Sequence, residues 1–130
     1  MPDRITVALD ACRPQIEEAL AHGGDTHDFD DLSNLIRTGH AQLWLDEEGP
    51  GSCIVTEVLD HPRYREVRCW IVAGRLDRVV PISERVAAWA REIGASKLTG
   101  VGRDGWVRAL RHHGWRKACV TVVKELHGGR

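Results

Sequence analysis

The chain is predicted to fold as an α+β domain, a mixed but mostly antiparallel central sheet flanked by helices, in the order β-α-α-β-β-β-α-β-α-β. Three observations predict it. Two strong turn signals, Glu47-Glu48-Gly49-Pro50-Gly51 and Asp60-His61-Pro62-Arg63, divide residues 41–73 into three strand-like runs. Apolar residues at helical spacing occur before and after those runs. A long helical segment then joins the third run to another short apolar run, a crossover connection that sets those two strands parallel. At 130 residues the chain fits a single domain spanning 1–130, with enough apolar content for one core.

The elements follow in order. Ile5 to Val7 reads as a short first strand, after which Leu9, Cys12, Ile16, Ala19 and Leu20 recur at helical spacing until Gly23-Gly24. Pro14 falls inside that pattern, so the helix either begins near Arg13 or is kinked there. Thr26 or Asp28 can cap a second helix with Phe29, Leu32, Leu35 and Ile36 on its apolar side, ended by Gly39. The meander comprises Ala41 to Asp46, Cys53 to Leu59 and Arg65 to Ala73. A helix from about Leu76 to Ile93 follows, with Pro81 tolerable only near its first turn. Leu98 to Val101 is a short buried strand, residues 103–113 a basic helix, and Ala118 to Leu126 the last strand.

Composition narrows the function. The net charge of −1 hides a division: residues 1–62 carry three basic against thirteen acidic residues, and residues 63–130 carry fifteen against six. Either the second half meets an anion, such as cofactor phosphates or nucleic acid, or the halves neutralise each other across the fold. The four cysteines, Cys12, Cys53, Cys69 and Cys119, form no Cys-x-x-Cys pair and read as reduced core residues of a cytosolic protein. The seven His residues are scattered, and His112 and His113, adjacent on a helix, diverge, so no metal site is expected. No apolar run approaches the roughly 20 residues of a membrane span. Met1 to Asp10 lacks a basic segment followed by an apolar one. A soluble, cytoplasmic protein without a membrane partner is expected.

The stretch Val101-Gly102-Arg103-Asp104-Gly105-Trp106-Val107-Arg108-Ala109-Leu110-Arg111-His112-His113-Gly114-Trp115-Arg116-Lys117 is a short basic helix framed by two Gly-Trp pairs. It resembles the closing unit of the acyl-CoA N-acyltransferases of the GNAT superfamily, in which a helix finishes in Gly-Phe before the last hairpin; Gly114-Trp115 stands in that position. Arg103, Gly105 and Trp106 are similar to a Gly-Arg-x-Gly-Trp run in small GNAT-like proteins of tailed phages and prophages. Together with the element order, the resemblance covers nearly the whole chain.

The resemblance implies acetyl-CoA or another acyl-CoA as cofactor. It would enter where the fourth and fifth strands splay, along the backbone of Ile71, Val72 and Ala73. Its pyrophosphate would lie at the turn Gly74-Arg75-Leu76-Asp77-Arg78, with Arg75 and Arg78 as cationic partners. Of the family's Arg/Gln-x-x-Gly-x-Gly/Ala loop only Gly74 matches in kind, and Asp77 sets a like charge there. An ordinary strand-to-helix turn with Asp77 as N-cap explains the same residues. The family's thiolate-protonating Tyr falls at Leu110, which has no proton to give.

Glu57, an acid within an apolar strand, is the candidate base for the substrate ammonium, unless it simply faces solvent. His112 is a further acid-base candidate. Trp106 and Trp115 belong either to the core or, with Arg103, Arg108, Arg111, Arg116 and Lys117, to a basic aromatic surface of the kind that grips nucleic acid. Three functions follow: a small phage-type acyl-CoA-dependent N-acyltransferase in which an amine attacks the thioester directly; a catalytically inactive relative binding phage structural proteins or DNA; and a GNAT-like enzyme that modifies a nucleobase. A phage-encoded protein would work in the host cytoplasm or in the virion.

Overall fold

The structure, a computed structural model, describes residues 3–22, 26–49, 51–102 and 104–126. It begins with a helix where the sequence predicts a strand. The Asp3 carboxylate accepts from the Thr6 N–H at 2.7 Å, and the Val7 N–H donates to the Asp3 carbonyl at 3.1 Å. This cap opens α1 (Arg4–His22), which absorbs Ile5 to Val7 and runs through Pro14. Ile5 and Val7 face solvent, while Leu9, Cys12, Ile16 and Leu20 are buried at helical spacing. The expected first strand is therefore corrected: the β-branched run Ile5-Thr6-Val7 counted for less than one capping carboxylate.

A reciprocal capping box starts α2 (Phe29–Arg37). The Asp31 N–H donates to Asp28 at 2.8 Å and the Asp28 N–H to Asp31 at 3.0 Å. Phe29, Leu32 and Ile36 pack with the apolar side of α1.

The meander stands as expected: β1 (Gln42–Leu45), β2 (Cys53–Asp60) and β3 (Arg65–Ala73) pair antiparallel in sequence order. The crossover helix α3 (Leu76–Glu92) then brings β4 (Lys97–Gly100) parallel to β3 at the sheet edge. The α+β class and its mixed, mostly antiparallel sheet are thus as predicted, with four described strands where the sequence predicts six. β4 is half-exposed rather than buried, because among the described residues it has a strand on one side only. The basic helix divides into α4 (Asp104–Leu110) and a 3-10 turn (Arg111–His113), closed by Gly114 in the left-handed region at φ 88°.

Side chains on the two faces of the sheet build two cores. Cys53, Val55, Ile71 and Ala73 meet α1 and α2 on one face; Ile54, Val67, Cys69 and Val72 meet α3 on the other. The expected final strand is the second correction. Residues 118–126 pair with no described strand, and Val120, Val122, Val123 and Leu126 are 68–89% exposed. β-branched residues favour a strand only where a neighbouring strand completes the ladder.

Three of the cysteines are buried as expected, whereas Cys119 is exposed. Burial pushes the Cys69 thiol up to about 12. A hydrogen bond to Cys12, together with burial, raises Cys53 as well. No described helix is long and apolar enough to cross a membrane.

Candidate functional site

The site begins with an irregularity in β3. Thr56 pairs with Cys69 and Val55 with Ile71, so Trp70 is an extra residue with no counterpart on β2. Such a bulge bends its strand and sharpens the local twist. Its effect is legible in the side chains: Val67 and Cys69 point to the α3 face, then Ile71 and Ala73 point to the α1–α2 face. Trp70 itself packs on the α1–α2 side, with the His27 ring edge-on at 4.6 Å.

The pairing of β3 with β4 ends at the same place. The parallel register runs from Glu66↔Lys97 to Cys69↔Gly100, followed by one more bond, from the Val101 N–H to the Cys69 carbonyl at 3.3 Å. Beyond it β3 continues through Trp70, Ile71, Val72 and Ala73, with no described backbone partner on the β4 side. The two parallel strands therefore part after four residue pairs. Trp115 seats its ring 3.7 Å from the space a Cβ would occupy on Gly100, and Trp106 lies 3.4 Å from the same point on Gly102. These indoles pack with the α3-side core, beside the place where the strands part.

The turn below β3 is committed to structure. Gly74 has φ 111°, and a Cβ there would overlap the Ser52 hydroxyl and lie 2.7 Å from the Ser52 Cα. Its missing side chain makes room for Ser52, whose hydroxyl also accepts from the Arg75 N–H at 3.4 Å. Arg78 is fully engaged, donating to Asp46 at 2.5 and 2.7 Å and pairing with Glu48 at 2.5 Å. The two hydrogen bonds from Arg78 are the main reason that the Asp46 carboxyl is held down at about 2. Arg75 is exposed and bonds Asp77 at 3.1 Å. Asp77 sits inside the first turn of α3; the N-cap is Arg75, which makes no side-chain cap bond.

Glu57 faces the α1–α2 side opposite Arg68, the last pair but one before the bulge, with the two side chains 3.4 Å apart. Its side chain is 29% exposed, so apolar enclosure is not its setting. Arg68 also reaches Glu66 at 3.7 Å, and Glu66 accepts from Thr99 of β4 and lies 2.7 Å from the His61 ring. Burial would raise the Glu66 carboxyl, but the hydrogen bonds from Thr99 and His61 and the charge of Arg68 outweigh it and hold it below the usual carboxylate range. This polar group straddles β2, β3 and β4 and lies outside the expectations from sequence. Its only trace there is Glu66 and Arg68 set two apart in a strand, on one face.

The structure does not bring the two acid-base candidates together. His112 is exposed in the 3-10 turn after α4, which packs through Trp106 and Trp115 on the α3 face, whereas Glu57 lies on the opposite face. Trp106 and Trp115 are core-facing rather than free platforms, and Arg108, Arg111, Arg116 and Lys117 are exposed. Arg103 lies outside the described residues. Among the described residues five ion pairs join the acidic half to the basic half, through Asp46, Glu47, Glu48, Glu57 and Asp60. Five of the thirteen acidic residues of the first half are thus neutralised within the molecule.

This sheet, with its parallel pair opening beside a bulge, belongs to the GNAT-like α+β fold. Several crystal structures share it. TTHA1254 from Thermus thermophilus superposes with a TM-score of 0.64 at 18% identity, covering 100% of this chain and 98% of that one. The aminoglycoside acetyltransferase meta-AAC0020, from an uncultured soil metagenomic sample and crystallised with sisomicin, gives 0.66 at 12% identity over 95% and 90%. The ribosomal-protein-alanine N-acetyltransferase of Brucella melitensis biovar Abortus 2308 gives 0.62 at 12% identity over 96% and 94%. No family model matches the chain, and no curated protein does.

Proposed function

We propose that this protein is a small acyl-CoA-dependent N-acyltransferase that works where β3 and β4 part. One observation carries the reading: Trp70 to Ala73 present a strand edge that no described strand fills, next to the bulge that opens it. In a folded domain, backbone donors and acceptors are rarely left without a partner, and an extended amide chain would satisfy these as a fifth strand would. The acetyltransferases that share the fold point to the same chemistry by analogy.

Acyl-CoA fits this edge well and the turn below it thinly. When bound, it would supply an acyl carbonyl activated as a thioester. The backbone of Ile71, Val72 and Ala73 would hold its amide-bearing arm. The first N–H groups of α3, at Leu76 and Asp77, precede the first intrahelical bonds and, with Arg75, would hold its anionic end. Arg78, spent on Asp46 and Glu48, would contribute no contact. Glu57 would take the proton from the substrate ammonium, directly or through water, so that the amine nitrogen has a free pair for attack. His112, on the other face, has no part in this scheme.

Thermal shift tests the reading. Acetyl-CoA at about 100 times its Kd should stabilise the fold by about 2.7 kcal/mol, a rise of several degrees in Tm. No shift at millimolar ligand would sink the reading. Glu57→Gln should leave that shift intact and lower turnover by about 10²-fold or more; unchanged turnover would remove Glu57 as the base.

A second reading is a non-catalytic phage accessory protein that binds DNA or a structural partner. It is favoured by the engaged Arg78, by Leu110 in place of a proton donor, and by the exposed Arg108, Arg111 and Arg116. Salt-sensitive retention of DNA without an acetyl-CoA shift would select it.

A further inference from the structure

Two thiols meet where α1 lies against the start of β2. Cys12, on the core side of α1, and Cys53, the first residue of β2, are both buried in the core beneath α1 and α2. The packing that joins them is visible one turn further along the same side of α1. There the Gln15 carboxamide nitrogen lies 3.7 Å from the point a Cβ would take on Gly51, two residues before Cys53. The Cys53 thiol donates to the Cys12 sulfur, and the Gly51 N–H donates to the same atom. Those two donors, Cys53 above all, outweigh burial and hold the Cys12 thiol at about 7. Cys69 shows what burial alone does, since its thiol is pushed up to about 12. One polar atom is left over beside this pair: the Gln15 Oε1 is buried and has no hydrogen-bond partner among the described residues.

We propose that Cys12 and Cys53 form a peroxide-reactive dithiol site that closes to a disulfide between α1 and β2. Hydrogen peroxide is small and carries two O–H donors, and the Gln15 Oε1 is an unpartnered acceptor for one of them. The Cys12 thiolate attacks one peroxide oxygen. An S–O bond forms, the O–O bond breaks, and the departing hydroxide leaves as water with the proton that Cys12 gave up. Cys12 is then a sulfenic acid, oxidised by two electrons. The Cys53 sulfur attacks it in turn: the S–S bond forms, the S–O bond breaks, and the second hydroxide leaves as water with the Cys53 proton. Two thiols and one hydrogen peroxide thus give one disulfide and two waters. The bridge closes a long loop that carries α2 and β1, which constrains the unfolded chain and raises Tm. This inference does not rest on the acyltransferase reading and holds for a catalytic or a non-catalytic protein alike.

Thiol counting and intact mass of the full chain under hydrogen peroxide test it, in a Cys119→Ser background because the exposed Cys119 reacts first. The expected result is loss of the Cys12 and Cys53 thiols together and a fall of about 2 Da in mass. Non-reducing digestion should give the Cys12 and Cys53 peptides joined, and Cys69 should stay reduced. Tm should rise by several degrees, and dithiothreitol should reverse every change. Cys53→Ala removes the second sulfur, so oxidation should stop at a Cys12 sulfenic acid that dimedone traps. Gln15→Leu should slow closure severalfold. Closure at an unchanged rate in that variant overturns the role given to Gln15. The Cys119→Ser chain carries the main test by itself, independently of how the two core variants fold. Cys12 and Cys53 still reduced under peroxide that oxidises Cys119 in the unaltered chain overturn the proposal. A bridge that forms only in urea, or one that recruits Cys69, overturns it as well.

Discussion

Gly74 shows how one residue can look like a ligand-binding feature and be a packing feature. In the sequence it is the single glycine after a strand, where a phosphate-binding loop would need close backbone approach. In the structure the space beside it belongs to Ser52, and its φ of 111° is one that L side chains rarely adopt. Gly74→Ala should therefore destabilise the fold by about 1–3 kcal/mol from backbone strain alone, with a further cost from the overlap. Urea unfolding measures this. Because the Ser52 Cα is itself 2.7 Å from the new methyl carbon, adding Ser52→Gly should fail to restore stability. Recovery in the double variant would mean that the side-chain clash, not the backbone, is the obstacle.

At the scale of elements, the turn signals, the meander and the crossover helix were legible because each rests on local chemistry. Gly-Pro-Gly and His-Pro end strands, and Leu76 to Glu92 carries a helical period whatever it packs against. What escaped depends mostly on partners distant in sequence. Ile5 to Val7 is the exception, since it reads as strand only until Asp3 is recognised as a cap. Ala118 to Leu126 has strand composition, but composition does not supply a neighbour. The bulge was visible only as lost alternation, since Cys69 to Ala73 is apolar throughout and hides which residue is the extra one.

That extra residue is open to direct test. Deleting Trp70 leaves Cys69 on the α3 face and Ile71 on the α1–α2 face, so alternation becomes regular and every buried side chain keeps its side. The deletion variant should remain folded at a cost of about 2 kcal/mol for the lost indole packing, with β3 and β4 able to zip further. It should lose its thermal response to acetyl-CoA. A response of undiminished size would show that the bulge does not make the opening.

For the molecule as a whole, part of the division of charge is internal. The acidic first half supplies β1, β2 and their turns, the basic second half supplies α3 and the end of the sheet, and Asp46–Arg78 is the best-formed link between them. Asp46 is held at about 2 against an ordinary 3.8, so its pKa falls on folding. Such a group adds stability that is fully present above its unfolded value and is lost as pH falls toward the folded one. Acid unfolding should therefore steepen below about pH 4, and Asp46→Asn should flatten that limb while lowering stability at neutral pH. Equal slopes for the two proteins between about pH 4 and about pH 2 would mean that the link does not contribute. Ion pairing of this kind is invisible to a charge count, which records the sign of each half but not what each charge touches.

The unequal shielding of the four sulfurs has a consequence for survival in an oxidising cell. Three are sealed in the two cores and the fourth lies on the exposed segment 118–126. Peroxide or a low-molecular-weight disulfide would meet Cys119 first, and the lesion would be confined to the one segment whose alteration leaves the packed interior intact.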